Sequence, residues 1–224
     1  MASQAALIEA IEGLYSAAAG AGTWELALDR LAAASGFSSA ALTLFEKERK
    51  PFKTLWRNIP DEVIRDYLAY YQRLDPSCIF DHPRDALIYD YRYVDDSQID
   101  RSEFYAWTMK SDGTCYHLGA RTDPGLPLFG TLTLHRPRPA GHADGHEIAL
   151  FAQLFRHVEL ALIVDYRLGL SRALSGLAGD LLDHAMTGIV VLDHAGRVIF
   201  ANAVAREIDR AQDGLALGPD RPRA

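Results

Sequence analysis

Aromatic side chains that carry a polar tip are concentrated in one stretch of the sequence, between residues 56 and 116. Each Tyr or Trp brings a large apolar body and one O–H or N–H group, and that group needs a partner when it is buried. Such residues suit the wall of a cavity that holds a small, partly apolar molecule through a few hydrogen bonds. The alternative for any single member is a place in the packed core or on the surface. The cluster comprises Trp56, Tyr67, Tyr70, Tyr71, Phe80, Tyr89, Tyr91, Tyr93, Phe104, Tyr105, Trp107 and Tyr116.

Residues that could perform catalysis form no recognisable set. His142 and His146 have the spacing of two metal ligands on one helix face, but Gly145 lies between them at an expected helix start and no third ligand is evident. The sequence contains no Gly-x-Ser-x-Gly nucleophile elbow and no glycine-rich phosphate-binding motif. We therefore predict a binding protein with no enzymatic activity, no metal and no cofactor.

Charge and composition exclude two further classes of function. The chain of 224 residues has a net charge of −7 with scattered basic residues, whereas a DNA-binding face is usually basic. Its N-terminus lacks the basic start of a signal peptide, and no apolar run reaches the roughly 18 residues of a membrane span. Cys78 and Cys115 show neither metal nor redox spacing. We expect a cytoplasmic protein that binds neither membranes nor, by itself, DNA.

Hydrophobic periodicity predicts the elements that must position the aromatic cluster. Helical spacing marks two N-terminal segments and two later ones. Apolar–polar alternation marks one hairpin, and β-branched and aromatic residues on either side of a turn mark a second. Residues 85–96 fit either a short helix or a strand. Paired strands interrupted by helices predict an α+β fold with an antiparallel sheet flanked by helices. The predicted helices are 4–19, 24–35, 60–76 and 102–113, and the predicted hairpins are 38–58 and 114–137.

A long helix is predicted from His146 to Met186, because this segment contains no proline. Its first half repeats apolar residues at heptad-like spacing, and so does its second half in a different phase. One interpretation is a helix packed only on its own sheet; the other adds that the second half pairs with another copy of the chain. We favour both together, one half for each task. The two sets are Phe151, Phe155, Val158 and Leu162, and Leu170, Leu174, Leu177 and Leu181.

The segment from Gly188 to Glu207 predicts strand, turn, strand and helix. Asp193 and Gly196 suit the turn, and Asn202 can cap the helix. An isolated two-stranded hairpin is marginal in water, so its apolar faces should pack on the long helix or on a partner chain. The residues expected in that contact are Ile189, Val191, Val198 and Phe200.

The stretch "NIPDEVIRDYLAYYQRLDP" resembles a motif in the autoinducer-binding domains of LuxR-type transcription regulators. The matching residues are Pro60, Tyr67 and the pair Asp75-Pro76, while Val63 stands where the family carries a Trp. The resemblance implies that Asp75 accepts a hydrogen bond from the amide of an acyl-homoserine lactone and that Tyr67 lines the ligand pocket.

Later segments extend this resemblance over the rest of the chain. "TLTLHRPRP" and the helix after it look like the last strand and helix of the sensory half of LuxR-type regulators, and "GIVVLDHAGRVIFAN" looks like the entry to a PAS-like unit. Regulators with this combination carry a C-terminal helix-turn-helix. No such pair of helices fits between Arg206 and Ala224, so DNA contact is expected only through a domain that this chain does not contain.

These observations together predict the small-molecule-sensing region of a LuxR-type regulator that acts as a homodimer. Its expected parts are a GAF/PAS-like core (1–145), a packing and dimerisation helix (146–186), and a partial PAS-like hairpin and helix with a disordered tail (187–224). A ligand-free dimerisation module and an enzyme on a GAF-like scaffold are the alternatives. The predicted pocket residues are Trp56, Tyr67, Tyr71, Asp75, Trp107 and His117, with Asp75 as polar anchor, and the predicted dimer contacts are Leu170, Leu174, Leu177 and Leu181.

Overall fold

The computed structural model describes residues 3–46, 51–76, 87–122, 128–193, 196–212, 216–217 and 222–223. The chain divides into two compact units, Met1–Tyr166 and Arg167–Ala224. The helices are α1 (Gln4–Ala19), α2 (Trp24–Ser35), α3 (Asp61–Ala69), α4 (Asp96–Ile99), α5 (Glu103–Ser111), α6 (Gly145–Asp183) and α7 (Ala203–Ala211). The strands are β1 (Ser39–Glu46), β2 (Pro51–Arg57), β3 (Leu87–Tyr89), β4 (Tyr116–Thr122), β5 (Leu128–Arg136), β6 (Val190–Leu192), β7 (Val198–Ala201), β8 (Ala216–Leu217) and β9 (Pro222–Arg223).

The first unit is built on a five-stranded antiparallel sheet in the order β2-β1-β5-β4-β3. Helices flank this sheet, which confirms the predicted α+β fold. Both predicted hairpins are present, and the segment that fitted either a helix or a strand forms β3 followed by a 3-10 turn, Asp90–Arg92. The central strands β1, β5 and β4 pair in continuous register. Directly opposed residues therefore lie on the same face of the sheet, and successive residues along each strand alternate between the two faces.

One face of this sheet forms the main hydrophobic core. Leu42, Leu118, Leu132 and Leu134 are fully buried there, among apolar side chains of α1, α2 and the N-terminal half of α6. The first heptad-like set of the long helix belongs to this core. Side-chain capping fixes where α1 and α2 begin, because Ser3 and Thr23 accept hydrogen bonds from backbone amides in the first turn.

On the opposite face α3 and α5 are held by a smaller apolar cluster centred on Phe104 and Tyr105. The helix predicted over 60–76 is shorter than expected, since α3 ends at Ala69. Tyr70 leaves the helical region (φ −141°), and a 3-10 turn, Tyr71–Leu74, follows. The break turns Tyr71 onto the ring of Trp107, and it brings Asp75 to the hydroxyl of Tyr67 at 3.0 Å.

The long helix α6 begins in the first unit and ends in the second, close to its predicted bounds. In the second unit the predicted hairpin (β6 and β7) and helix α7 are present. Asn202 caps α7 as predicted, and its side chain also makes hydrogen bonds to other backbone groups of the second unit. Its buried side chain accepts from the amides of Ala205 (3.0 Å) and Ile189 (2.8 Å) and donates to the carbonyls of Leu182 and Thr187, both at 2.8 Å.

The apolar residues of the hairpin are unequally covered. Ile189, Val198 and Phe200 are half-buried, while Val191 is exposed. Their predicted packing on α6 or on a partner chain remains a prediction. The sequence did not predict the short pairing of β8 with β9, and the expected disordered tail lies largely outside the described residues.

Candidate functional site

A cavity of about 140 Å³ lies in the first unit, between the second face of the sheet and the helices α3 and α5. Its volume is close to that of an engineered protein cavity of about 150 Å³ that binds benzene, and far above the space that one water molecule needs. The cavity therefore has the size to hold a small organic ligand.

The two walls of the cavity differ in chemistry. The helical wall is apolar and is formed by side chains such as Val63, Ile64, Leu68, Phe104 and Trp107. The sheet wall is polar, because the strand residues that alternate with the buried leucines point into the cavity. Ala41, Phe45 and Ile88 add apolar side chains to the sheet wall. The polar residues of the sheet wall include Thr43, Thr131, Thr133, His117 and His135.

Four of the six predicted pocket residues line this cavity: Tyr67, Asp75, Trp107 and His117. Asp75 accepts the hydroxyl of Tyr67, so the predicted polar anchor is itself oriented by a pocket residue. The stack of Tyr71 on Trp107, with ring centroids 4.0 Å apart, gives Tyr71 a supporting position behind the wall.

Trp56 and Tyr71 are not among the lining residues. Trp56 lies on the edge strand β2, and its indole N–H donates to Asp61 at 3.2 Å. A ligand role for these two residues remains a prediction, as it does for the four residues that line the cavity.

His117, in the sheet wall, belongs to a buried hydrogen-bonded cluster. Its Nδ1 lies 2.8 Å from the Asp90 carboxylate, which also accepts the Tyr105 hydroxyl at 2.9 Å and the backbone amide of His117 at 2.6 Å. Burial alone lowers the pKa of His117, but the charge and hydrogen bond of Asp90 outweigh it and raise that pKa to about 9. The pKa of Asp90 is lowered, because His117 and these hydrogen bonds outweigh its burial. At neutral pH the pair is therefore an imidazolium and a carboxylate.

His135 lies directly opposite His117 on the neighbouring strand. Burial, together with the positive charge of His117, lowers its pKa to about 4, so its ring is neutral at pH 7. Sequence reasoning missed His135 and the threonines of this wall. The alternation in "LFGTLTLHR" indicates one polar strand face, and a polar face is normally assigned to solvent. The signal that could have found them is the pair of apolar helices that must cover that face.

The titratable side chains that line the site include two histidines and a cysteine. His117 is protonated at neutral pH and so is no general base, and within the described residues no nucleophile contacts its Nε2. Cys115 lines the cavity, but burial raises the pKa of its thiol to about 11. Among the residues that the structure describes, no cluster of His, Cys, Asp or Glu could hold a metal ion, and no helix is long and apolar enough to cross a membrane.

Solved structures share this architecture. The ligand-binding domain (LBD) of VqsR from Pseudomonas aeruginosa superposes with a TM-score of 0.51 at 16% identity, over 73% of this chain and 95% of that one. CepR2 from Burkholderia cenocepacia, an N-acylhomoserine-lactone-dependent LuxR-family transcription factor, gives 0.49 at 20% identity, over 70% of this chain and 93% of CepR2. The chain has the fold of LuxR-family autoinducer-binding domains.

The chain is also similar to a GAF domain, that of a phosphoenolpyruvate-protein phosphotransferase from Coxiella burnetii. That likeness has a TM-score of 0.42 at 13% identity, over 78% of this chain and 99% of the other. No protein-family model matches the chain, and no curated protein sequence does either. The resemblance inferred from sequence motifs is thus confirmed by structure, and at these identities the likeness establishes the fold alone.

Proposed function

We propose that this chain is the small-molecule-sensing region of a LuxR-type transcriptional regulator. The cavity carries the proposal, because it combines a volume of about 140 Å³ with one apolar and one polar wall. The alternative of a packed, ligand-free dimerisation module expects no cavity larger than a water molecule. Binding rather than catalysis is favoured by the protonation of His117 and by the absence, among the described residues, of a nucleophile at its Nε2.

Cavity filling tests the binding step. Ile64 on α3 lines the cavity, whereas Ile8 on α1 is 48% exposed. We expect acetophenone, a one-ring ketone, to raise the melting temperature of the wild type and of Ile8→Trp, and to leave that of Ile64→Trp unchanged. Equal responses of the two variants would place binding outside the cavity. A wild type that responds neither to acetophenone nor to a library of partly apolar molecules would overturn the proposal.

We further propose that the ligand acts by favouring one of two arrangements of a homodimer, and hence of a DNA-binding domain supplied outside this chain. A ligand shifts such an equilibrium only by its differential affinity for the two states. Support comes from the second half of α6, where Leu170, Leu174 and Leu177 repeat at heptad-like spacing and are 51%, 58% and 61% exposed. Leu181 continues the series, and its side chain lies outside the described residues.

Sedimentation measures the dimer step independently of binding. The triple variant Leu170→Glu, Leu174→Glu, Leu177→Glu should be monomeric at concentrations where the wild type is a dimer, because the added carboxylates would repel across a heptad seam. Leu26→Glu is the matched control, since Leu26 on α2 is 48% exposed but lies outside the series. A wild type that stays monomeric at all concentrations would refute the dimer relay and leave ligand binding intact.

A further inference from the structure

Arg121 places a half-buried positive charge on the face of the sheet that lines the cavity. It lies on β4 directly opposite Thr131, which in turn lies opposite Thr43 on β1, and both threonines line the cavity. Directly opposed residues share a face of a sheet, so the Arg121 side chain leaves the strand on the cavity side. Arg121 itself is not among the lining residues, so it stands at the edge of the cavity.

This charge has no anionic partner in the part of the chain that the structure describes. No carboxylate there forms an ion pair with the Arg121 guanidinium, and its Nε is buried without a hydrogen-bond partner. His117, the cation in the sheet wall, differs because Asp90 balances its charge. A buried donor without an acceptor destabilises the protein until an acceptor atom reaches it. The Arg121 guanidinium is therefore available to an anion.

Two stacked phenylalanine rings connect this charge with the cavity. The central carbon of the guanidinium, Cζ, lies 4.7 Å from the ring centroid of Phe129, and the Phe129 ring stacks on that of Phe45 with centroids 5.2 Å apart. Phe45 lines the cavity. The cation–π contact fixes the position of the charge but provides no oxygen acceptor for the N–H groups of the guanidinium. These donors thus lie close to the Phe45 end of the cavity and remain available to a ligand.

The route from the other end of the cavity to Arg121 follows β4. His117, which lines the cavity, and Arg121 are four residues apart on this strand, a separation of about 13 Å at roughly 3.3 Å per residue. Gly119 is the one residue of β4 between them on the same face, and it has no side chain. A ligand that extends along this strand can therefore keep its apolar body in the cavity and reach the guanidinium with its other end.

A guanidinium at this position favours one class of partner. Its planar N–H donors match the two oxygens of a carboxylate, and such charge-assisted hydrogen bonds are shorter and stronger than neutral ones. At a half-buried position screening by water is weaker than at a fully exposed surface, where an ion pair contributes little. A carboxylate should therefore bind here more tightly than an uncharged amide of the same shape.

We infer that Arg121 forms an anion subsite at the edge of the cavity, and that the preferred ligand is an amphiphilic organic acid with its carboxylate on Arg121 and its apolar body against the helical wall. This inference rests on the proposed function, because it names the ligand class of the same cavity. It assigns charge selectivity to a residue of β4 that sequence reasoning did not single out.

Two probes of equal size isolate the charge of the ligand. The anion 4-phenylbutyrate carries a carboxylate at the end of a phenylalkyl chain, and 4-phenylbutyramide carries an uncharged amide at the same place. Their common carbon skeleton keeps the apolar contacts equal. For the wild type at pH 7, titration calorimetry should show the carboxylate binding about tenfold or more tighter than the amide, as expected for hydrogen bonds between charged groups.

Variants assign the preference to Arg121. Arg121→Gln removes the charge, so its affinities for the two probes should become equal within about twofold. Arg121→Lys keeps the charge but loses the planar set of donors, so its preference should lie between those of the wild type and Arg121→Gln. Arg30→Gln is the matched control, because it removes the same charge from an exposed position on α2, which packs against the opposite face of the sheet. It should keep the wild-type preference.

Acetophenone distinguishes this inference from the proposed function, because it is uncharged and needs no anion subsite. If acetophenone stabilises the wild type but the carboxylate binds no tighter than the amide, the cavity binds ligands and the inference about Arg121 is wrong. A carboxylate preference that persists in Arg121→Gln would equally overturn it. If neither these three compounds nor the library of partly apolar molecules binds, the proposed function fails and the inference fails with it.

Discussion

At the scale of single residues, the His117–Asp90 pair is a buried ion pair held by several hydrogen bonds. Removing a cation and an anion from water costs several kcal/mol each, and their attraction repays this only when every remaining lone pair is satisfied. Asp90 meets that condition through His117, Tyr105 and a backbone amide, whereas His117 does not, because its Nε2 has no partner among the described residues. The His117 imidazolium is therefore only partly compensated by the described residues.

The two histidines make stability depend on pH in opposite directions. The pKa of His117 is about 9 in the folded state against an ordinary value of 6.5, so its contribution is complete below pH 6.5 and is lost as pH rises through 9. His135, with a folded pKa of about 4, stabilises above pH 6.5 and loses this contribution as pH falls through 4. We expect the free energy of unfolding of the first unit to be greatest near pH 6.5 in urea titrations.

Substitutions of the two histidines separate the loss of stability above pH 6.5 from the loss below it. His117→Leu with Asp90→Asn should flatten the decline between pH 6.5 and 9, which in the wild type is on the order of 3 kcal/mol. His135→Gln should flatten the decline between pH 6.5 and 4. If the free energy of unfolding of the double variant still declines between pH 6.5 and 9, His117 is not the source of that decline.

Tyr105→Phe should destabilise the protein by about 1–2 kcal/mol, because it removes a buried hydrogen bond to a charged acceptor and leaves the ring packing intact. Tyr116→Phe is the control, since its hydroxyl makes a longer bond, 3.3 Å, to the exposed Asp96 and should cost less. Chemical denaturation of both variants measures the difference. Equal losses would show that the Tyr105–Asp90 bond adds nothing to stability.

At the scale of elements, sequence patterns predicted both hairpins of the first unit and every helix except the short α4, but not the destination of polar strand residues. Apolar spacing directly reflects burial, so α1, α2 and the strands followed from it. The break after Ala69 did not, because it depends on the stack of Tyr71 on Trp107, which lies far along the chain. Tyr67 and Asp75 were predicted as pocket residues from their resemblance to a family motif. His135 belongs to no such motif, and it could be found only once α3 and α5 were known to cover its strand face.

Asn202 connects three elements of the second unit, so replacing it should cost more stability than removing an ordinary helix cap. Asn202→Ala removes the α7 cap and strands the amide of Ile189 and the carbonyls of Leu182 and Thr187. We expect a cost of about 2–4 kcal/mol, against roughly 1 kcal/mol for Ser3→Ala at the exposed start of α1. Hydrogen exchange of the amides in β6, β7 and α7 would detect the difference. Equal protection in the two variants would contradict this role.

At the scale of the whole molecule, the division into two compact units predicts independent responses. The cavity lies within the first unit and the Asn202 network within the second, and the two share no hydrogen-bond partner among the described residues. When two distant sites share no interaction partner, the free-energy effects of substitutions at the two sites are additive. Asn202→Ala should therefore leave the affinity for acetophenone unchanged within about twofold, as measured by calorimetry. A larger change would reveal coupling between the units.

The alternation along β5 also bears on how such a protein can evolve. Leu132 and Leu134 hold the core, while Thr131, Thr133 and His135, interleaved with them, face the cavity. Under the proposed function, substitutions at the second set would alter which molecule fits while the packing of the leucines stays unchanged. New ligand preferences can therefore arise by single amino-acid changes at little cost in stability, and a lineage can diverge in the signal it detects while its architecture stays constant.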